Sequence, residues 1–303
     1  MDQSKDLNQN FKINVDQKVA RRRWGILAKA LKGPLGSQPS SPTDEISIRR
    51  ISSFMLLETR ELPSPPSQVL NDQILKRTWF EYSFNIDQKS FKLNIGHRNR
   101  TYSAEDLMGF NNTGNICIWP SEETLSYYVC LNLNMFEGKS VMEIGGGMSC
   151  LAGLFIAKYS SAKNVLVTDG NKTSIDNVQA ILQCNSFACD TQCAILRWNE
   201  QKESKQFDVI ISADCLFFDD YRIDFINCLR NHLASKGVAL IMAPIRGTTL
   251  DSFILQARIR GLVCKKIVNY SDLVWVKRLE LMDSSCDYDD NIHYPILLKV
   301  TKE

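Results

Sequence analysis

The rhythm of apolar and polar positions changes near residue 110. Ahead of that point, residues 18–32 place Trp24, Leu27 and Leu31 at i, i+3 and i+7. This spacing predicts a short helix, ended by Gly33-Pro34. Residues 36–43 are Ser/Pro-rich and read as a linker. Residues 46–57 and 74–95 alternate apolar and polar side chains in places, as at Ile46/Ile48 and Phe80/Tyr82/Phe84, and predict β-strands. After residue 110, apolar runs alternate with helical spacing. Strands are expected over 139–144, 164–168, 193–198, 207–212 and 237–243, with two more near 262–269 and 293–300. Helices are expected from Pro120, from Met148, over 171–184, up to about Leu233, and around 249–260. Such alternation implies an α/β fold with a parallel sheet covered on both faces. The chain thus divides into residues 1–109 (basic helix, linker and small β-containing extension) and an α/β domain over 110–303.

Composition narrows the picture. Of 303 residues, 44% are hydrophobic and 23% charged, enough apolar material for a sizeable core. The longest apolar runs fall short of the roughly 20 residues that span a bilayer, and no signal peptide is recognisable, so no membrane role is expected. The net charge of +2 hides an asymmetry. Residues 1–100 hold 17 Lys/Arg and 10 Asp/Glu (+7), whereas residues 101–303 hold 19 and 24 (−5). The basic front suits an acidic partner, although a screened surface charge is the plainer account. Several of the ten cysteines, such as Cys130, Cys150 and Cys228, sit in apolar runs and read as small buried hydrophobes. With no secretory signal they indicate a reducing compartment, the cytoplasm or the nucleus. His97, His232 and His293 are scattered and no zinc-like ligand spacing occurs, so no metal is expected.

Ligands of such sheets bind beyond the carboxyl ends of the strands. The first strand of the domain ends in Glu143-Ile144-Gly145-Gly146-Gly147, and the second ends in Asp169, 24 residues after Gly145. An acid at about that spacing commonly binds ribose hydroxyls. A dinucleotide fingerprint would place a third glycine where Cys150 stands. A carboxylate at Glu143 repels phosphate and attracts a sulfonium or an amino group. Together these residues favour S-adenosylmethionine over a dinucleotide. Trp198, after the third strand, is placed to stack on adenine, or else packs in the core. Ala213-Asp214-Cys215-Leu216-Phe217 follows the fourth strand, where a methyl acceptor would sit. Asp214 orients the acceptor amine or caps the next helix, and Glu143 contacts the cofactor or braces the turn. Trp119, Phe217 and Tyr221 are candidates for cation–π contact with a methylated ammonium. The Asn/Asp-Pro-Pro-Tyr/Phe motif of base methylases is absent, and no basic stripe with interleaved aromatics marks the domain, so no nucleic-acid partner is expected.

The segment Asn112-Thr113-Gly114-Asn115-Ile116-Cys117-Ile118-Trp119-Pro120-Ser121-Glu122-Glu123 resembles the N-terminal signature of the seven-strand, class I protein-lysine methyltransferases. Together with Glu143–Gly153, Thr168–Asn171 and Ala213–Phe217, it is similar to the calmodulin-lysine N-methyltransferases within that family. The resemblance implies a Rossmann-like seven-strand sheet, mostly parallel, with an antiparallel C-terminal strand. It implies that Trp119, Glu143, Gly145, Gly147, Asp169, Trp198 and Ala213 line the cofactor, and that Asp214 and Phe217 face the acceptor. It also implies transfer of up to three methyl groups to one lysine of calmodulin. Many relatives carry acid-x-x-Tyr after the fourth strand, and here Phe217 stands in place of the tyrosine. The segment Lys18–Lys32 has six basic residues and no acid, which suits docking to an acidic calmodulin groove or packing on the enzyme's own core. The rival readings are a methyltransferase for another protein or a small molecule, and a catalytically silent cofactor-binding module. An NAD oxidoreductase stands behind these.

Overall fold

The computed structural model describes residues 53–67, 71–98, 118–200, 205–217, 219–284 and 288–303. The basic segment 18–32, the linker and residues 112–117 of the signature lie outside these. Two sheets organise the rest. Strands β1 (Glu58–Glu61), β2 (Arg77–Ile86) and β3 (Lys89–Arg98) form an antiparallel three-stranded sheet. Of the strand expected over 46–57, residues 46–52 lie outside the described residues, residues 53–57 are not strand, and β1 begins at Glu58. The physical reason is local: the backbone N–H groups of Phe54, Leu56 and Leu57 are turned toward the Glu123 carboxylate rather than toward a neighbouring strand.

The larger sheet contains β4 (Ser140–Ile144), β5 (Asn164–Asp169), β6 (Asp190–Ile195), β7 (Phe207–Ala213), β8 (Leu233–Pro244), β9 (Leu262–Ile267) and β10 (Pro295–Lys302). Its order is β6-β5-β4-β7-β8-β10-β9. Neighbours run parallel from β6 to β8, and β10 is antiparallel to both β8 and β9. This is the seven-strand, mostly parallel sheet the resemblance implies. The central strands are mostly apolar because both faces are covered: Val141, Met142, Ile144, Val209, Ile210 and Ile211 are all buried.

The longer helices among the described residues are α1 (Pro120–Leu131), α2 (Leu151–Tyr159), α3 (Lys172–Gln183), α4 (Arg222–His232), α5 (Thr249–Ile259) and α6 (Asp272–Ser284). Pro120 opens α1, where its missing N–H costs nothing. The Asn171 side chain caps α3 by accepting from the Thr173 N–H at 2.7 Å. Two differences from the sequence reading have clear causes. The helix expected from Met148 starts at Leu151, because Gly145, Gly147 and Cys150 all take positive φ and wind the intervening backbone into turns. Helix α6 carries no amphipathic signal: Leu273, Val276, Leu279 and Met282 are exposed and only Val274 is buried.

The small sheet packs on α2 and α3. Phe84 meets Phe155 with ring centroids 5.2 Å apart, and Phe91 meets Tyr159 at 5.0 Å. Arg77 donates to Asn177 Oδ1 at 2.6 Å. Asn177 in turn donates to the carbonyls of Gly96 (2.9 Å) and Met148 (2.8 Å). One buried amide thus ties the small sheet to the end of the glycine turn. No helix among the described residues is long and apolar enough to cross a membrane.

Candidate active site

Between β4 and β7 the strand order changes direction, and the sheet opens a crevice at the strands' carboxyl ends. A cavity of about 330 Å³ lies there, of a size that suits a small-molecule ligand. All nine site residues expected from the sequence line it: Trp119, Glu143, Gly145, Gly147, Asp169, Trp198, Ala213, Asp214 and Phe217.

The glycine turn forms one wall. Gly145 (φ 69°) and Gly147 (φ 63°) occupy the left-handed region that other residues rarely adopt. A Cβ on Gly145 would come 2.5 Å from Cys215 Sγ. Asp169 holds the turn closed: its Oδ2 accepts from the Gly147 N–H at 2.9 Å and its Oδ1 from the Asn171 N–H at 2.8 Å. The Ser174 side chain also hydrogen-bonds to it. Burial pushes the Asp169 carboxyl above its ordinary range.

Glu143 is buried in the turn's floor. Its Oε2 accepts from the Gly153 N–H at 3.0 Å, whereas its Oε1 has no hydrogen-bond partner. Burial first, then the charge of Glu122, raises the Glu143 carboxyl to about 8. In the sequence Glu122 stands in the first turn of the helix expected from Pro120, where an acid favours the helix dipole. In the fold it is a wall of the cavity, accepting from the Ser149 hydroxyl and from the Leu151 N–H at 3.2 Å. Burial raises it to about 7, with Ser149 and Leu151 pulling the other way. Three neighbouring carboxyl groups, two of them held toward the protonated form mainly by burial, and an unpartnered Oε1 suit a positive ligand. Among the described lining residues the sole basic one is Arg197, already paired with Glu200 at 3.0 Å. S-adenosylmethionine, a cation without phosphate, fits this set.

Gly153 is the tightest point behind Glu143. A Cβ there would lie 2.5 Å from Glu143 Oε2 and 2.6 Å from Val167 Cγ1. Gly153→Ala is therefore expected to displace the carboxylate, cost about 1–3 kcal/mol of stability, and weaken cofactor binding. Calorimetric titration of the variant checks this, and a wild-type Kd would show that Glu143 does not depend on that contact.

The other wall is aromatic and acidic. Trp198 lines the cavity and packs on Phe225 with centroids 4.7 Å apart. Asp214, just past β7, is buried at φ 56°. It does not cap α4, whose N-cap position is Tyr221. Its carboxylate is instead held by both terminal nitrogens of Arg246, with Nη2 to Oδ2 at 2.9 Å. The same guanidinium lies 5.6 Å from the centre of the Phe217 ring. Arg246 is absent from the site residues expected from the sequence, which follow only the first four strands of the domain. Its position just past the end of β8 was the available signal.

Comparison with known proteins places this geometry. Residues 104–259 match the lysine methyltransferase family. A calmodulin-lysine N-methyltransferase of Arabidopsis thaliana is 30% identical over 300 residues, covering 93% of this chain and 96% of that protein. An electron transfer flavoprotein beta subunit lysine methyltransferase of Rattus norvegicus is 27% identical over 142 residues, 46% of this chain and 54% of that protein. A solved TehB-like SAM-dependent methyltransferase from Corynebacterium glutamicum is 17% identical with a TM-score of 0.44, covering 59% of this chain and 88% of that one. With half of the chain matched to one family and nearly all of it to one relative, the protein belongs to the lysine methyltransferase family and uses S-adenosylmethionine.

Proposed function

We propose that this chain is a protein-lysine N-methyltransferase that trimethylates a lysine of calmodulin. The observation that carries the reading is the end-to-end similarity to the plant calmodulin-lysine N-methyltransferase. The flavoprotein methyltransferase, by contrast, matches only 46% of the chain. The front third, where substrate choice can be built outside the shared catalytic core, is thus included in the stronger match.

Bound S-adenosylmethionine supplies an electrophilic methyl group: the amine lone pair forms the new N–C bond as the C–S bond breaks, leaving a neutral thioether. The chain's residues prepare that event. Asp169 offers acceptors to ribose hydroxyls, and Trp198 offers an aromatic face to adenine. Glu143, with its unpartnered Oε1, offers the negative charge a cation requires. Acceptor and donor must be held within about 3–3.5 Å and in line. Asp214, Phe217 and Tyr221 line the cavity, and in this reading Asp214 and Phe217 serve the acceptor. A carboxylate oxygen orients the amine, and ring faces attract each methylated ammonium. The ammonium must lose a proton before transfer, and no histidine lines the cavity among the described residues.

Tritium-labelled S-adenosylmethionine with recombinant calmodulin tests the substrate. Label on a calmodulin lysine is the expected result. Label found instead on another protein of a cell extract would replace calmodulin as the substrate. Donor binding without transfer to any protein would leave only a silent cofactor-binding module.

A further inference from the structure

We propose that Arg246 is a positioning residue for methyl transfer: paired with Asp214, it lets that carboxylate orient the acceptor lysine without holding it protonated. The proposal rests on the lysine-methyltransferase reading of the site.

The geometry is built by strand pairing. Strands β7 and β8 are parallel neighbours, and Asp214 and Arg246 stand just past their respective ends. Both residues take positive φ, 56° and 46°, a conformation uncommon outside glycine and kept only where the surroundings enforce it. The enforcement is visible. The Arg246 N–H donates to the Asn291 carbonyl at 2.7 Å, and the Gly247 N–H donates to Asn291 Oδ1 at 2.9 Å. The pair is nearly closed to water, with 15% of the arginine and 6% of the aspartate side chain exposed. Its guanidinium also meets the ring of Phe217, the other acceptor-side residue.

This pairing answers a chemical problem. The nucleophile must be a neutral amine, yet an ordinary lysine titrates near about 10.4. A lone buried carboxylate beside it would favour the ammonium and raise that value further. With Arg246 in place, Asp214 belongs to a neutral pair. Arg246 takes two of roughly four lone-pair positions, and the rest still accept from the amine. The carboxylate then aligns the nitrogen without stabilising the unreactive form. The other charged or titratable groups around the acceptor side are Glu122 from α1, Glu143 from β4, Asp169 from β5, the Arg197–Glu200 pair after β6, and Cys215 and Tyr221 after β7. On the β10 side, Asp290 is paired with Arg278 at 2.7 Å. All of these persist when Arg246 is replaced, so a change in pH profile reports on Arg246 itself.

The test is kcat against pH for the full-length protein with calmodulin and saturating S-adenosylmethionine. In Arg246→Gln the acidic limb is expected to move up by about one pH unit, a loss of about tenfold at pH values below the wild-type limb that disappears once the pH exceeds the variant's limb. Arg246→Lys, which keeps the charge, is expected to hold the limb near its wild-type position. Asp214→Asn combined with Arg246→Gln removes both charges, leaves no unpaired buried ion, and is expected to bring the limb back down. A limb that stays in place while kcat falls equally at every pH would show a structural role only and overturn the proposal. A wild-type chain that labels no lysine on any protein would overturn the methyltransferase reading itself, and this proposal with it.

Discussion

Glu143→Gln is expected to weaken S-adenosylmethionine binding about 100-fold above pH 8, roughly the worth of one buried charge-assisted contact. It is also expected to remove most of the pH dependence of binding. In the free protein, burial and the neighbouring charge of Glu122 raise the Glu143 carboxyl to about 8, so near neutrality it is largely a neutral acid. A cationic ligand prefers the carboxylate, and binding must therefore release a proton. Affinity rises with pH up to about 8, by at most about tenfold per unit, and then levels off. The stability of the free chain runs the other way. Glu143 keeps its proton when folded up to about 8 but ionises near 4.5 when unfolded, and Glu122 does the same up to about 7. Their burial is accommodated fully below pH 4.5 and becomes progressively destabilising as pH rises through that window. Glutamine cannot ionise, so the free variant is expected to be at least as stable as wild type at pH 8. That separates lost binding from lost folding. Titration calorimetry in buffers of different ionisation enthalpy reads both affinity and proton release. An unchanged Kd and an unchanged pH slope in the variant would refute the role given to Glu143.

Glu123→Ala is expected to cost about 3–5 kcal/mol of folding stability, the scale seen when one partner of a buried charged network is removed. The Glu123 carboxylate accepts from the backbone N–H groups of Phe54 (2.9 Å), Leu56 (2.8 Å) and Leu57 (3.1 Å), and from the Ser53 hydroxyl at 3.1 Å. Burial raises its carboxyl, and these donors pull it back down. Alanine would leave three main-chain donors without an acceptor, each costing about 1–3 kcal/mol unless water enters. Phe54 would also lose its hold on Tyr294, whose ring lies 6.1 Å away at the start of β10. Urea unfolding and limited proteolysis around 53–57 measure this. Glu123→Gln retains one acceptor oxygen and is expected to fall between the two. A midpoint for Glu123→Ala within error of wild type would mean that the carboxylate does not anchor this segment.

The adjacent acids Glu122 and Glu123 show how far a local reading goes. Their position in the first turn of α1, after Trp119-Pro120, was legible because caps and dipoles act over a few residues. Their separate fates were not. One turns to the cofactor cavity and the other to a segment nearly 70 residues earlier, and only the packed fold brings those partners within reach. Asp214 is the same case. Its place at the end of β7 follows from the strand's apolar run, but its partner comes from the end of the next strand in the sheet, 32 residues on. Helix α6 was not legible at all, since its apolar side chains are largely exposed and show no stripe.

By itself, the amino-acid sequence determined the alternation of strands and helices from Pro120 to about residue 269, the glycine turn, and the acids at 143 and 169, because these depend on short-range periodicity and spacing. Only the tertiary structure decided which carboxylates are neutralised by an arginine, which are pushed toward their protonated form, and which anchor the front of the chain. Those properties depend on burial and on partners that strand pairing brings together from distant parts of the chain.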